Sequence, residues 1–152
     1  PGIRDSVASR GLGDVYKRQN YSNIESTVKR LHDAGISISL FLDPEEAQIE
    51  AAHKLQVEAV ELHTGQYALN SGAERNACLQ ELITSGRQIA DAGMTLHAGH
   101  GLNYQNVIPV ARIDNMVELN IGHSIISRAI FIGLTQAVQE MKQLLVIAES
   151  KH

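Results

Sequence analysis

Four of the seven histidines in this 152-residue chain fall within three short stretches, Glu61 to Thr64, His97 to Gly101 and Asn120 to His123. Imidazole is the side chain that gives and takes a proton near neutrality. Glycine lets backbone amides approach an anion with no Cβ in the way. His100 has both features, because Gly99 and Gly101 flank it, so His97-Ala-Gly-His-Gly-Leu102 reads as an active-site turn that cradles phosphate beside a proton-transfer group. Ile121-Gly122-His123-Ser124 offers the same pairing. A helical turn starting there directs free N–H groups and a positive dipole end toward the same anion. The chemistry implied is proton transfer on a small phosphorylated substrate. Glu61 lies within Val60-Glu-Leu62, where a carboxylate facing a barrel interior is costly unless used. His63 shares the parity of Glu61; a core histidine satisfied by backbone is an equal reading, so His63 and His97 stay without a role.

Other chemistries lack their residues. His97 and His100 are three apart, which on a strand puts them on opposite faces, and no HxH pair, paired cysteines or HExxH helix supports a metal site. A P-loop, a GxGxxG after a strand and a serine nucleophile elbow are also missing from the sequence. Neither a metal nor a bound cofactor is expected.

These stretches need elements that bring them together, and the apolar pattern from Asn20 onward supplies consecutive βα units with glycine-marked joints, an α/β fold. Strands are predicted at 36–42, 58–63, 94–98 and 116–121. Asp33-Ala-Gly35 and Asp91-Ala-Gly93 end two helices identically, each feeding a strand, as one repeating unit would. Asp43-Pro-Glu-Glu46 predicts a helix start with Asp43 as cap, proline in the first turn and Glu46 closing a capping box. The helix before Gly93 has Leu79, Leu82, Ile83 and Ile89 as its buried stripe. A short helix is expected over 106–113, a turn capped by Ser124 through Ile130, and a last helix over 135–149 with Leu134, Val138, Met141 and Leu145 inward. Parallel strands end on one face, so Asp43, Glu61, His63, Thr64, the 97–101 turn, Asn120, Gly122 and His123 gather there.

With 43% apolar and 20% charged residues the composition is that of a globular domain. The net charge of −4 and an aromatic content of 4% give neither a basic stripe nor stacking platforms, which argues against a nucleic-acid partner. Cys78 is the single cysteine, which fits a reducing, cytoplasmic setting; no run is long enough to span a bilayer, so no membrane partner is expected. Residues 1–19 begin without methionine and show no sustained period. Gly11-Leu-Gly-Asp-Val-Tyr-Lys-Arg-Gln19 reads as a translated adapter, which leaves 20–152 as the domain.

Several stretches resemble the pyridoxine 5′-phosphate synthase family: His97-Ala-Gly-His-Gly-Leu-Asn-Tyr104, Val117-Glu-Leu-Asn-Ile-Gly-His-Ser-Ile-Ile126 and Val60-Glu-Leu-His-Thr-Gly65. Ser37-Ile-Ser-Leu-Phe-Leu-Asp43 and Val138-Gln-Glu-Met-Lys142 are similar to that family's fifth strand and closing helix, so the resemblance covers 20–152. It implies the C-terminal half of a (β/α)₈ barrel, strands five to eight. The implied enzyme condenses 3-amino-2-oxopropyl phosphate with 1-deoxy-D-xylulose 5-phosphate to form pyridoxine 5′-phosphate in vitamin B6 biosynthesis. By this resemblance His100 is the proton donor, Glu61 stabilises the transition state, and Gly101, Gly122 and His123 contact 3-amino-2-oxopropyl phosphate. The family's first four strands have no counterpart here, nor do its two proton acceptors, a histidine and a glutamate. A fragment of the enzyme, inactive as given, is therefore expected, with a free sheet edge. The intact family member would be a homo-oligomer. The alternatives are another phosphate-binding barrel enzyme of aldolase or isomerase type, disfavoured because no lysine sits at a strand's C-terminal end, and a non-catalytic phosphate-binding fragment.

Overall fold

The structure, a computed structural model, describes residues 14–150, with side chains from Tyr21 onward. Two compact units divide between Ile38 and Ser39. In the first, helix α1 (Asp14–Asp33) runs through the 19/20 junction; residues 1–13 of the segment read as an adapter lie outside the described residues. Gly35, at φ +72°, ends the helix, and the amides of Gly35 and Ile36 bond back to His32 and Leu31 at 2.8 and 3.0 Å.

The second unit contains strands β1 (Ser39–Leu42), β2 (Ala59–His63), β3 (Thr95–Gly99) and β4 (Met116–Asn120), all parallel and in the order β1-β2-β3-β4. Between them run α2 (Glu46–Lys54), α3 (Gly65–Leu69), α4 (Gly72–Asp91) and α5 (Val107–Ala111); α6 (His123–Ile132) and α7 (Leu134–Glu149) follow β4. Among the described residues the outer edges of β1 and β4 have no strand partner.

β4 begins at Met116 as predicted, whereas β1, β2 and β3 begin later than the alternating pattern predicts, and one device lies ahead of each of those three. After each preceding helix a left-handed residue turns the chain, and the next amide is still tied to the helix: Ile36 to Leu31, Val57 to Ala52 and Met94 to Ile89. These residues are apolar and look like strand, yet their backbone closes a helix. In α2 the left-handed position is Gln56 (φ +57°), the same stop without a glycine to announce it.

Alternation along β2 and β3 sorts their side chains. Val60, Leu62, Leu96 and Ala98 are fully buried under the helices with Leu82, Ile89, Val107 and Val110, and each large apolar group so buried contributes about 1.5–3 kcal/mol. Ser39, Phe41, Glu61, His63, His97 and Gly99 take the opposite parity, and Phe41 is half exposed. A register shift between Leu96 and His97 lets Val117 bulge, so that His97 pairs with Glu118 and Gly99 with Asn120. The polar ends of β4 thereby share the face of Glu61.

The helix surfaces hold two surprises. On α7 the buried residues are Ala137, Met141 and Ala148, while Leu134 and Val138 are exposed, so the predicted stripe is rotated. Small residues there let Tyr104 Oη and Arg112 Nε donate to the carbonyls of Ala137 (2.8 Å) and Ala148 (3.4 Å). On α4 the buried stripe is Leu82, Ser85, Gly86 and Ile89. A Cβ on Gly86 would stand 2.9 Å from Leu96 Cδ2 and 3.1 Å from Ile113 Cγ2. Gly86→Val is expected to lose about 1–2 kcal/mol in urea unfolding, because overpacking a closed seam outweighs the helix propensity gained; equal or higher stability would show that the seam is loose.

Candidate active site

The C-terminal ends of β2 and β3 are joined beyond the sheet by one side chain. Thr64, fully buried, accepts nothing from this turn; its amide donates to Gly99 O (2.9 Å) and its hydroxyl lies 2.8 Å from Gly99 O and 2.5 Å from His100 O. The next two carbonyls are also tied: Asn106 Nδ2 donates to Gly101 O (3.2 Å) and Ser124 Oγ to Leu102 O (2.9 Å). Asn106 is held in turn, its Oδ1 accepting from Asn103 N (2.7 Å) and its carbonyl from Tyr67 Oη (2.8 Å). Burial pushes the Tyr67 hydroxyl up from its ordinary value, with Arg75 over the ring acting the other way, so it stays a neutral donor. Four consecutive carbonyls are thus met by donors of the surrounding elements, Gly99 O by the Thr64 amide and the next three by side chains. The amides of Gly101 and Leu102 have no acceptor among the described residues.

Helix α6 presents more amides. Its first internal bond is Ile126 N–H to Gly122 O at 3.0 Å, which leaves His123, Ser124 and Ile125 without a backbone acceptor among the described residues. Ser124 does not cap this helix; Gly122 takes the cap position and Ser124 secures Leu102 instead. Gly122 has an ordinary φ of −113°, and a Cβ there would meet nothing within 4 Å. Its glycine therefore leaves room in the cleft rather than relieving backbone strain.

His100, Gly101, Gly122 and His123, all predicted from sequence, line one open cleft of about 950 Å³ with Asn103, Tyr104, Asn120 and Arg128. Glu61 does not line it. Glu61 stands mid-strand between Phe41 and His97, and Gly99 lacks a Cβ where the Glu61 carboxylate and Asn120 crowd it. Sequence reasoning missed Arg128, whose guanidinium is paired with Glu140 of α7 at 2.9 Å; the bond holds Arg128 above and Glu140 below their usual ranges. Nothing in the spacing of two residues on different helices announces that pair.

Of the two glycines around His100 only Gly101 takes a positive φ, and His100 shares it. Gly101 is left-handed at φ +77°, and a Cβ on it would lie 2.6 Å from Ala68 Cβ of α3. His100 itself is at φ +82°. A side chain in that region costs about 1–2 kcal/mol and persists where the surroundings over-determine it, as the tied carbonyls do here.

Asp43 is the clearest correction. It does not cap α2, which starts at Glu46 with Glu45 in the cap position and no side-chain cap bond. Gln48 reaches back instead, accepting from the Asp43 amide at 3.3 Å and donating to Glu45 at 2.8 Å. The Asp43 carboxylate accepts from His63 Nδ1 at 2.8 Å. The His63 ring stands edge-on to Phe41 and His100, with centroids 5.1 and 4.7 Å away. His63 thus joins the site although the sequence left it open, and only its shared parity with Glu61 pointed there. Among the described residues no group of three or more His, Cys, Asp or Glu side chains is arranged to hold a metal ion.

Consecutive parallel βα units with their polar groups collected at the C-terminal strand ends define an α/β protein built as part of a (β/α)-barrel. The family model described as pyridoxal phosphate biosynthesis protein PdxJ matches residues 1–146. Pyridoxine 5′-phosphate synthase of Rhodopirellula baltica is 57% identical over 145 residues, 95% of this chain and 58% of that protein. The proteins of the same name from Magnetococcus marinus and Prochlorococcus marinus subsp. pastoris are 49% and 43% identical, over 95% and 97% of this chain. The chain belongs to the PdxJ family, and it spans 58% to 61% of the length of these relatives.

The left-handed backbone at His100 is open to measurement. His100→Gly is expected to be more stable than His100→Ala by about 1 kcal/mol in urea unfolding, since only glycine escapes the steric cost. The reverse order would show an unstrained turn.

Proposed function

We propose that these βα units carry part of the active site of a pyridoxine 5′-phosphate synthase, the part that binds 3-amino-2-oxopropyl phosphate and donates a proton. The observation that carries this reading is the shared cleft of His100, Gly101, Gly122 and His123, in which tied carbonyls and unpaired amides favour an anion. The amides of Gly101, Leu102 and the first turn of α6 hold the phosphate, with His123 at its side. His100 is the proton donor, presented by its strained turn at the rim. Glu61, deeper on the same sheet face, stabilises positive charge that develops on the condensing amine. Amine–ketone condensation, dehydration and ring closure are proton transfers, which suits imidazole and carboxylate groups.

The acceptors and most contacts to 1-deoxy-D-xylulose 5-phosphate belong to the rest of the barrel, in the portion of the relatives that this chain does not match. The chain alone is therefore inactive. The intact enzyme is a cytoplasmic homo-oligomer, and Ile126, Ile130 and Phe131 of α6 leave an exposed apolar surface that suits association.

Purified chain given both substrates is expected to form no pyridoxine 5′-phosphate. Co-expression with the unmatched portion of the Rhodopirellula baltica relative should restore turnover, and His100→Ala in that assembly should lower kcat by about 10²-fold or more. Gly122→Val should raise KM for 3-amino-2-oxopropyl phosphate at unchanged stability, because its side chain fills the anion's place. Turnover that survives His100→Ala would refute the donor assignment.

A further inference from the structure

His63 has no part in the reaction as derived so far, yet its surroundings are built to fix it. Asp43, His63 and His100 stand at or just beyond the ends of three neighbouring strands, β1, β2 and β3. A carboxylate only accepts, so the 2.8 Å contact between Asp43 Oδ1 and His63 Nδ1 assigns the proton to Nδ1 and leaves Nε2 as the acceptor of the neutral ring. The ring plane is then held from two sides. Phe41 meets it edge-on at an interplanar angle of 70°, and His100 at 66°.

Gly65 makes this packing possible. A Cβ on Gly65 would lie 2.7 Å from His63 Nε2, 2.9 Å from His63 Cε1 and 3.3 Å from His100 Cδ2. Both imidazoles therefore lie against the same buried glycine. The His100 ring itself touches His63 closely and Phe41 at 6.5 Å between centroids, and its nitrogens have no hydrogen-bond partner among the described residues. The backbone of His100 is fixed by Thr64, whereas its ring is fixed by packing. His63 is the nearer of its two ring neighbours.

We infer that Asp43 and His63 are positioning residues for His100: the carboxylate sets the tautomer and plane of the His63 ring, and that ring holds the His100 imidazole at the cleft rim. The inference rests on the proposed role of His100 only in requiring that its orientation matter for turnover. A donor displaced by about 1 Å forfeits up to about 10²-fold in rate, so even loose packing would be felt.

Two readouts separate the geometry from the chemistry. In ¹⁵N-histidine spectra of the purified chain, His63 should show the Nδ1–H tautomer and His100 ring resonances displaced by its aromatic neighbours. Asp43→Asn can turn its amide NH₂ toward Nδ1, so it should convert His63 to Nε2–H and shift His100 as well. His63→Ala should return the His100 resonances toward those of a free ring, and His63→Phe, which keeps the edge contact, should disturb them less. Unchanged amide spectra away from the site show that each variant folds. In the co-expressed enzyme, Asp43→Asn should lower kcat roughly tenfold or more with KM altered by less than about twofold, and His63→Phe should cost less than His63→Ala. An Nε2–H tautomer in the unaltered chain, His100 resonances indifferent to His63→Ala, or an unchanged kcat in Asp43→Asn would overturn the inference. Turnover that survives His100→Ala counts against the donor assignment alone, because the spectra judge the ring coupling without it.

Discussion

The parallel pairing of β2 with β3, from Ala59 opposite Thr95 to His63 opposite Gly99, sets the height and facing of Glu61, His63, His97 and the turn that carries His100. Side chains alternate with a period of two, so a slip of one residue would turn Glu61 and His63 under the helices and bring Leu62 onto the open face. Thr64 extends the pairing past the last ladder position by holding Gly99 and His100. The buried apolar set, Val60, Leu62, Leu96 and Ala98, makes that slip costly, and the core thereby fixes the chemistry.

The turn after β3 shows how a loop becomes a surface of hydrogen-bond donors. Each backbone carbonyl from Gly99 to Leu102 is met by a donor from Thr64, Asn106 or Ser124, so the groups left over are N–H donors. The proposed anion site rests on these free donors more directly than on the glycines. The left-handed conformation at His100 is the cost of that arrangement, met by the ties around it.

Much of this was legible in the sequence, and the failures are instructive. Four strands, their parallel order and the clustering of His100, Gly101, Gly122 and His123 followed from apolar period and from the repeated Asp-Ala-Gly helix stops. Strand starts were early because Ile36 and Met94 are apolar for the strand but hydrogen-bonded for the helix. Asp43 misled because a carboxylate before Pro-Glu-Glu looks the same whether it caps a helix or binds an imidazole; the partner, His63, lies 20 residues away and is reached only through the sheet. The bulge at Val117 and the pairing of Arg128 with Glu140 are tertiary in origin and leave no local pattern. Helix α3 was hidden because it begins at Gly65 and is followed at once by Asn70-Ser71-Gly72, loop punctuation at both ends.

The proposed function stands on the turn after β3 and the start of α6 acting as one anion site. Titrating the ¹⁵N-labelled chain with inorganic phosphate tests it most directly. One shared site requires saturable amide shifts at Gly101, Leu102, Gly122 and His123, moving together along one binding curve. Shifts confined to the starts of other helices, such as α4 or α7, or separate curves for the two segments, would contradict it.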